Sequence, residues 1–424
     1  MTGKPFTGLF GALLLACALG GAAVAAPVLA PVLAPASPYI LIDADSGQVL
    51  AEREPYQLWY PASVTKLMTA YLVFEALESG ALKPTSPVKM SANALAEPPS
   101  KMGYPVGTLM TIDNALMMLL VHSANDIAVA LGETVSVSES AFVARMNATA
   151  KRLGMVNTHY DNPNGLPSDG QLTTARDLAV LSRAVWNEYP RYRPLFSIPA
   201  IRSGKQVLRS PNSLLDRYAG SNGMKTGFIC AAGYNMVASA TRDGRTLIAV
   251  VLGALTPRDR AELAAQLLDR GFSGGALLSH DLEGAQNRPS SPVAVNIRDA
   301  VCGKNRPANQ EEAEGDIDTS IPALGQRFRV TDPIVVTTGL PGDQVPKTTL
   351  AAKPVERPAA KPVPKIASQT AAVPAKESSP KNPPTKSAAS ENAADGRGIE
   401  LAQEKYEPAW KSPNWGWDKR DRDD

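Results

Sequence analysis

The chain has 424 residues, enough for one large domain with extensions or for two or three ordinary domains. Apolar residues at 44% and charged residues at 20% support a sizeable core and exclude wholesale disorder. A net charge of +2 argues against a dedicated nucleic-acid binder, and 3 Cys with 3 His argue against four-ligand zinc sites and disulfide scaffolds.

Residues 1–25 read as an export signal. Lys4 supplies a weak positive start, Leu13, Leu14 and Leu15 centre an apolar run, and Ala23-Val24-Ala25 is a small-x-small cleavage pattern. The run is too short and too rich in Ala and Gly for a membrane-spanning helix. A rival reading keeps export and adds an anchor. Leu14-Leu15-Ala16-Cys17 resembles a lipoprotein box, with Cys17 lipidated and the protein held peripherally on a membrane. Either reading places the mature chain in the periplasm or another extracytoplasmic space. Cys230 and Cys302 then remain, and could pair there, though two cysteines alone do not establish a bond.

Residues 26–37 are Ala/Pro-rich and read as a tether. Order begins near Tyr39. Ile40-Leu41-Ile42 and Val49-Leu50 flank Asp45-Ser46-Gly47, which predicts a hairpin. From Ser63, apolar Leu67, Ala70, Tyr71, Phe74 and Leu77 follow helical spacing until Gly80. Further helices are predicted over 112–120 with Thr111 as cap, over 140–153 with Gly154 behind, and over 173–187. Residues 223–253 read as sheet, with strands over 235–241 and 246–252 joined by Asp243-Gly244. A last helix is predicted over 258–270. Sheet signals flanking a long helical insert predict an α+β domain over residues 38–276, whose two ends meet in one antiparallel sheet.

Residues 277–345 carry apolar clusters at Phe328 to Val330 and Ile334 to Val336, enough for at most a small β element. Residues 346–395 form a Pro/Ala/Lys-rich linker. Nine prolines lie between Pro346 and Pro384, and Lys347 to Glu391 has a net charge of +5, so this stretch reads as disordered. Residues 396–424 place Trp410, Trp415 and Trp417 among charges and read as a disordered tail or a small partner anchor. No amphipathic C-terminal helix for membrane docking is legible.

No metal cluster and no phosphate loop is apparent, so no metal and no cofactor is expected. His122, His159 and His280 lie in no nucleophile-elbow context, which argues against a Ser-His-Asp triad. The remaining route to an activated serine uses lysine as base. Ser63-Val64-Thr65-Lys66 opens the first strong helix and puts the Lys66 amine within reach of the Ser63 hydroxyl. Burial and a second cation would lower the pKa of that amine. The motif alone is weak, since Ser86 to Lys89 and Ser378 to Lys381 match it too. Singly, Ser63 reads as a helix cap, Lys66 as a solvated face, Asn125 as a turn former and Thr226 as a strand residue.

The order of motifs carries more weight. Ser63 to Ser123 spans 60 residues, and Ser123 to Lys225 spans 102. With Pro61-Ala62-Ser63-Val64-Thr65-Lys66-Leu67-Met68-Thr69, Ser123-Ala124-Asn125-Asp126, Asn164-Gly165-Leu166, Gly223-Met224-Lys225-Thr226-Gly227 and Ala232-Gly233-Tyr234-Asn235, residues 39–272 resemble low-molecular-weight penicillin-binding proteins, serine-type D-alanyl-D-alanine carboxypeptidases. The resemblance implies a β-lactamase/transpeptidase-like fold and a peptidoglycan stem peptide ending in D-Ala-D-Ala as substrate. It also implies β-lactam antibiotics as covalent ligands.

Roles follow from matching positions. The resemblance implies Ser63 as nucleophile, Lys66 as general base and Ser123 as proton relay to the leaving D-alanine. Asn125 would hold the substrate amide and orient Lys66. Lys225 and Thr226 would take the terminal carboxylate, and Gly227 would let the substrate backbone approach. The N–H groups of Ser63 and Phe228 would form the oxyanion hole. Arg260 is carried over as a further carboxylate ligand.

Two departures stand out. Phe228-Ile229-Cys230 stands where relatives often have a polar His-Thr pair, which puts Cys230 near the site as a thiol open to oxidation or alkylation. The tail offers neither a clear β-rich domain nor an amphipathic anchor. Rival functions are a DD-endopeptidase or serine β-lactamase with the same site, and a non-catalytic peptidoglycan-binding protein. The β-lactamase reading lacks a Glu-x-x-Asn loop between Asn125 and Lys225, where Glu188 is followed three residues on by Arg191.

Overall fold

A computed structural model describes residues 37–274, 278, 280–282, 293–304, 324 and 332–340. The expected leader over 1–25 with Cys17, the tether over 26–36, the Phe328 to Val330 cluster, the 346–395 linker and the tail with Trp410, Trp415 and Trp417 lie outside the described residues.

The chain opens with the expected hairpin, β1 (Tyr39–Asp43) and β2 (Val49–Arg53). Its turn is held by Asp43 Oδ1, which accepts from the N–H groups of Asp45 and Ser46 at 3.2 and 3.1 Å. A 3₁₀ turn over Ala62–Thr65 leads into α1 (Lys66–Glu78). The helix expected from Ser63 thus begins three residues later. α1 is buried on nearly every side, as expected of a helix central to a core rather than lying on its surface.

Next come β3 (Pro87–Lys89), the short α2 (Ala92–Ala96) and β4 (Leu109–Thr111), then α3 (Ile112–Val121), α4 (Asn125–Ser136), α5 (Glu139–Arg152) and α6 (Ala175–Glu188). The side chains of Thr111, Ser138 and Thr174 each accept the N–H three residues on, which fixes where α3, α5 and α6 start. α4 has no counterpart among the expected helices. Its flanking residues are Ala124 and Val137, so neither a capping side chain nor a terminal glycine marks its ends.

A small hairpin follows, β5 (Ala200–Ser203) and β6 (Gln206–Arg209). The chain then completes the main sheet with β7 (Ser221–Ile229), β8 (Gly233–Arg242) and β9 (Arg245–Ala254), and covers it with α7 (Pro257–Phe272). The sheet order is β2-β1-β9-β8-β7, antiparallel throughout, so the two ends of the domain do meet. Strand alternation sorts its side chains into two cores. Ile40, Ile42, Ile248, Val250 and Leu252 join the core containing α1, and Leu41, Leu247, Ala249 and Val251 join Leu267 and Leu268 of α7. With both faces covered, these strands read as unbroken apolar runs.

Beyond α7, α8 (Arg298–Cys302) is tied to the end of β7 by a disulfide between Cys230 and Cys302. This corrects the expectation of a reactive Cys230 thiol, because the sulfur is already bonded. The Ile334 to Val336 cluster forms β10 (Ile334–Val336), parallel to β5. No single helix among the described residues is long and apolar enough to cross a membrane. The disulfide closes a separation of 72 residues. Cys302→Ser is expected to cost on the order of 2 kcal/mol. Differential scanning calorimetry should read this as a Tm lower by about 4–8 °C, with no further drop on adding reductant.

Candidate active site

Ser63, the expected nucleophile, sits on the 3₁₀ turn. In a 3₁₀ turn, side chains three apart eclipse one another, so Ser63 and Lys66 project together. Ser63 Oγ and Lys66 Nζ are 2.9 Å apart. Ala62, just before the serine, has φ +49, a left-handed conformation that an alanine adopts at a cost of about 1–2 kcal/mol. Tertiary contacts hold it there. Buried Asn235 on β8 donates to the carbonyls of Tyr60 and Pro61 at 2.9 and 3.2 Å, and Trp59 Nε1 donates to the Ala232 carbonyl at 2.9 Å.

Lys66 has no exposed surface. Its Nζ lies 2.8 Å from Asn125 Oδ1 and 2.6 Å from the Asn164 carbonyl. Neither oxygen can donate, so both take N–H bonds from the amine. A neutral amine then has its lone pair left, and Ser63 Oγ is the third neighbour. This is the arrangement of a base about to accept a hydroxyl proton. Burial first, and then the Lys225 ammonium, push the Lys66 amine well below its usual 10.5, against weaker opposing pulls from Glu97 and Asp126.

Lys225 approaches from β7, nearly buried, and donates to Ser123 Oγ at 2.9 Å and to the Thr226 carbonyl at 2.9 Å. Ser123 sits between α3 and α4 at φ +62, also left-handed, and is half-buried. Thr226 is nearly buried on the same strand. Gly227 lies so near the nucleophile turn that a Cβ there would fall 2.9 Å from the Ser63 nitrogen and 3.0 Å from the Pro61 carbonyl oxygen. This close approach of β7 requires glycine.

The structure thus brings Ser63, Lys66, Ser123, Asn125, Lys225, Thr226 and Gly227 together where β7, at the sheet edge, meets the 3₁₀ turn and the helices. Phe228 follows on the strand, with its ring stacked on Tyr234 at 4.4 Å. Arg260 comes from α7. It is fully buried, its guanidinium lies over the Tyr234 ring at 5.7 Å, and Nη2 donates to the Pro211 carbonyl at 3.0 Å. Like Lys66 and Lys225 it is a buried cation, packed against the Tyr234 ring. Among the described residues no cluster of three or more His, Cys, Asp or Glu could hold a metal.

Two contributors were not among the expected site residues. The Asn164 main-chain carbonyl grips Lys66, and Glu97 Oε2 accepts from Asn164 Nδ2 at 3.0 Å. A backbone acceptor carries no side-chain signal, although the Asn164-Gly165-Leu166 triplet marks its loop. Nothing in the sequence around Glu97 announces it.

Comparison with known proteins points to a family. The family model described as D-alanyl-D-alanine carboxypeptidase matches residues 25–256. The D-alanyl-D-alanine carboxypeptidase DacC of Escherichia coli K12 is 37% identical over 246 residues, covering 56% of this chain and 61% of that protein. The chain spans 61–62% of the length of several such curated relatives. Penicillin binding protein 5 of Haemophilus influenzae matches in structure with a TM-score of 0.55 at 35% identity, over 58% of this chain and 73% of that one. Penicillin-Binding Protein D2 of Listeria monocytogenes, in its cefotaxime-bound form, matches with a TM-score of 0.51 at 30% identity, over 56% of this chain and 97% of that one. With over half its length matched by the family model and its serine, lysines and glycine-bearing strand meeting at one site, this chain belongs to the D-alanyl-D-alanine carboxypeptidase family.

Proposed function

We propose that this chain is a serine-type D-alanyl-D-alanine carboxypeptidase that removes the terminal D-alanine from peptidoglycan stem peptides through an acyl-enzyme on Ser63. The observation that carries this is the Lys66 amine, buried beside a second lysine and aimed by two oxygen acceptors at the Ser63 hydroxyl. Lys225 and Thr226 hold the terminal carboxylate, which sets the peptide bond between the two D-alanines over Ser63. The Ser63 hydroxyl gives its proton to Lys66 as its oxygen attacks that carbonyl. Negative charge on the carbonyl oxygen meets the N–H groups of Ser63 and Phe228. Collapse breaks the C–N bond, and the departing amine takes a proton by way of Ser123. Water then adds to the ester, freeing the shortened peptide and restoring the serine.

A β-lactam carries a strained amide and a carboxylate in the same relation, so it acylates Ser63 likewise. The cefotaxime-bound Listeria relative supports this reading. On this reading the protein works outside the cytoplasm, which the signal-like sequence of residues 1–25 and the Cys230–Cys302 bond support.

The test is a digest. With a stem pentapeptide, mass spectrometry is expected to find loss of one D-alanine, and after fluorescent penicillin the label maps to the peptide containing Ser63. Cleavage only at cross-links would make the protein an endopeptidase. Rapid release of hydrolysed penicillin would make it a β-lactamase. Absence of both label and product would leave a binding protein and overturn the proposal.

A further inference from the structure

We propose that Glu97 is a positioning residue for the Lys66 base, and that one short loop, residues 97–100, sets both oxygens that orient the Lys66 amine. The proposal rests on the acyl-transfer reading of Ser63 and Lys66. α2 ends at Ala96, and Glu97 leaves it in an extended conformation. Its Oε2 accepts the Asn164 side-chain N–H at 3.0 Å, while Asn164 Oδ1 accepts from the Leu166 N–H at 3.0 Å. The Asn164 side chain is thus held at both ends, which fixes the peptide whose carbonyl faces Lys66.

The next residue does the same for the second oxygen. The Pro98 carbonyl accepts Asn125 Nδ2 at 2.9 Å, and the Ser100 carbonyl accepts the Asn125 main-chain N–H at 2.8 Å. With its amide nitrogen committed to Pro98, Asn125 can offer only Oδ1 to Lys66. The two oxygens come from segments nearly 40 residues apart, Asn125 and Asn164, and the 97–100 loop is what they share.

Glu97 also brings charge. It faces Lys66 of α1, Asp126 of α4 and Glu139 of α5. Burial first, and then the like charge of Glu139, raise its carboxyl from 4.5 to about 7, against the pull of the Asn164 hydrogen bond and of Lys66. Glu97 therefore ionises near neutrality. Once ionised, it favours the charged form of Lys66, opposing burial and Lys225. Removing that negative charge lowers the Lys66 midpoint.

Two variants separate the roles. Glu97→Gln keeps an oxygen for Asn164 and loses the charge, and Glu97→Ala loses both. Two measurements are made on each from about pH 5 to 10. One is the second-order rate of Ser63 labelling by a fluorescent penicillin. The other is the ¹⁵N shift of the Lys66 amine in lysine-labelled protein. Glu97→Gln is expected to move the Lys66 midpoint to lower pH and to carry the acid limb of the labelling rate with it, with the plateau kept. Glu97→Ala is expected to lower the plateau by about tenfold as well, through lost orientation of the amine. Thermal midpoints taken alongside distinguish lost orientation from lost fold. If Glu97→Gln superimposes on the native chain in both titrations, or Glu97→Ala labels at the native rate, the proposal fails. If the native chain never labels but the Lys66 midpoint still moves in Glu97→Gln, the acyl-transfer reading fails and Glu97's hold on the amine stands.

Discussion

Lys66→Arg is expected to slow acylation of Ser63 by about 10³-fold, within the range for loss of a positioned general base. Arginine keeps the positive charge and can donate to Asn125 and Asn164, but it does not release its proton at any accessible pH. If Lys66 served only as a fixed cation, the variant would retain most of its rate, and stopped-flow acylation by a chromogenic cephalosporin decides the matter. The pH profile carries a second signature. Because the Lys66 amine is held below 10.5, the native rate should rise with pH along a limb whose midpoint lies well under that value. The arginine variant should show no such limb. The same shift has a sign for stability. Below 10.5 the unfolded chain holds this proton more tightly than the folded one, so the contribution of Lys66 becomes less favourable as pH falls toward its lowered value. The buried base therefore costs the fold stability at neutral pH.

Gly165→Ala is expected to cost about 4 kcal/mol, since it combines a left-handed backbone with a severe overlap. Gly165 has φ +87, and a Cβ there would lie 1.8 Å from the Ala62 carbonyl oxygen and 2.9 Å from the Ser63 nitrogen. Both atoms belong to main chain, so neither can swing aside as a flexible side chain would. Relief comes only by moving the nucleophile turn or the loop that carries the Asn164 carbonyl. Calorimetry should find a Tm lower by about 8–16 °C. The protein that remains folded should also acylate more slowly, because the displaced atoms flank Ser63. A variant with native Tm and native rate would mean that the loop does not press on the turn as described.

The sheet and most of the longer helices are legible because their residues must satisfy local rules. Asp43 caps a hairpin turn, Thr111, Thr174 and Thr256 accept the first free N–H groups of α3, α6 and α7, and Asp243-Gly244 makes the tight turn between β8 and β9. α4 is not legible, because Ala124 before it has no side chain to cap it and no glycine stands behind it at Val137 to mark its end. The short β3–β4 and β5–β6 pairs are too brief to show alternation.

Within the site, Ser63, Lys66, Ser123 and Lys225 stand out through motif order, since chemistry demands those side chains at those places. Asn164 acts through its carbonyl, which any residue possesses, and Glu97 acts from a loop whose path no local rule determines. The burial of Arg260 depends on Tyr234 and Pro211 closing over it, a tertiary fact that a helical position does not reveal.

The sheet has a further consequence for when this site can exist. β1 hydrogen-bonds to β9, whose residues lie some two hundred positions later, and the lysine strand β7 forms the opposite edge of the same sheet. A nascent or translocating chain that has reached only α6 already carries its serine and its base, yet it has no wall to press the turn into shape and no second amine to depress the first. Reactivity toward acyl donors should therefore switch on late and all at once, when the stretch through Ala254 becomes available to zip against the opening hairpin. Chains arrested short of that point should be chemically silent.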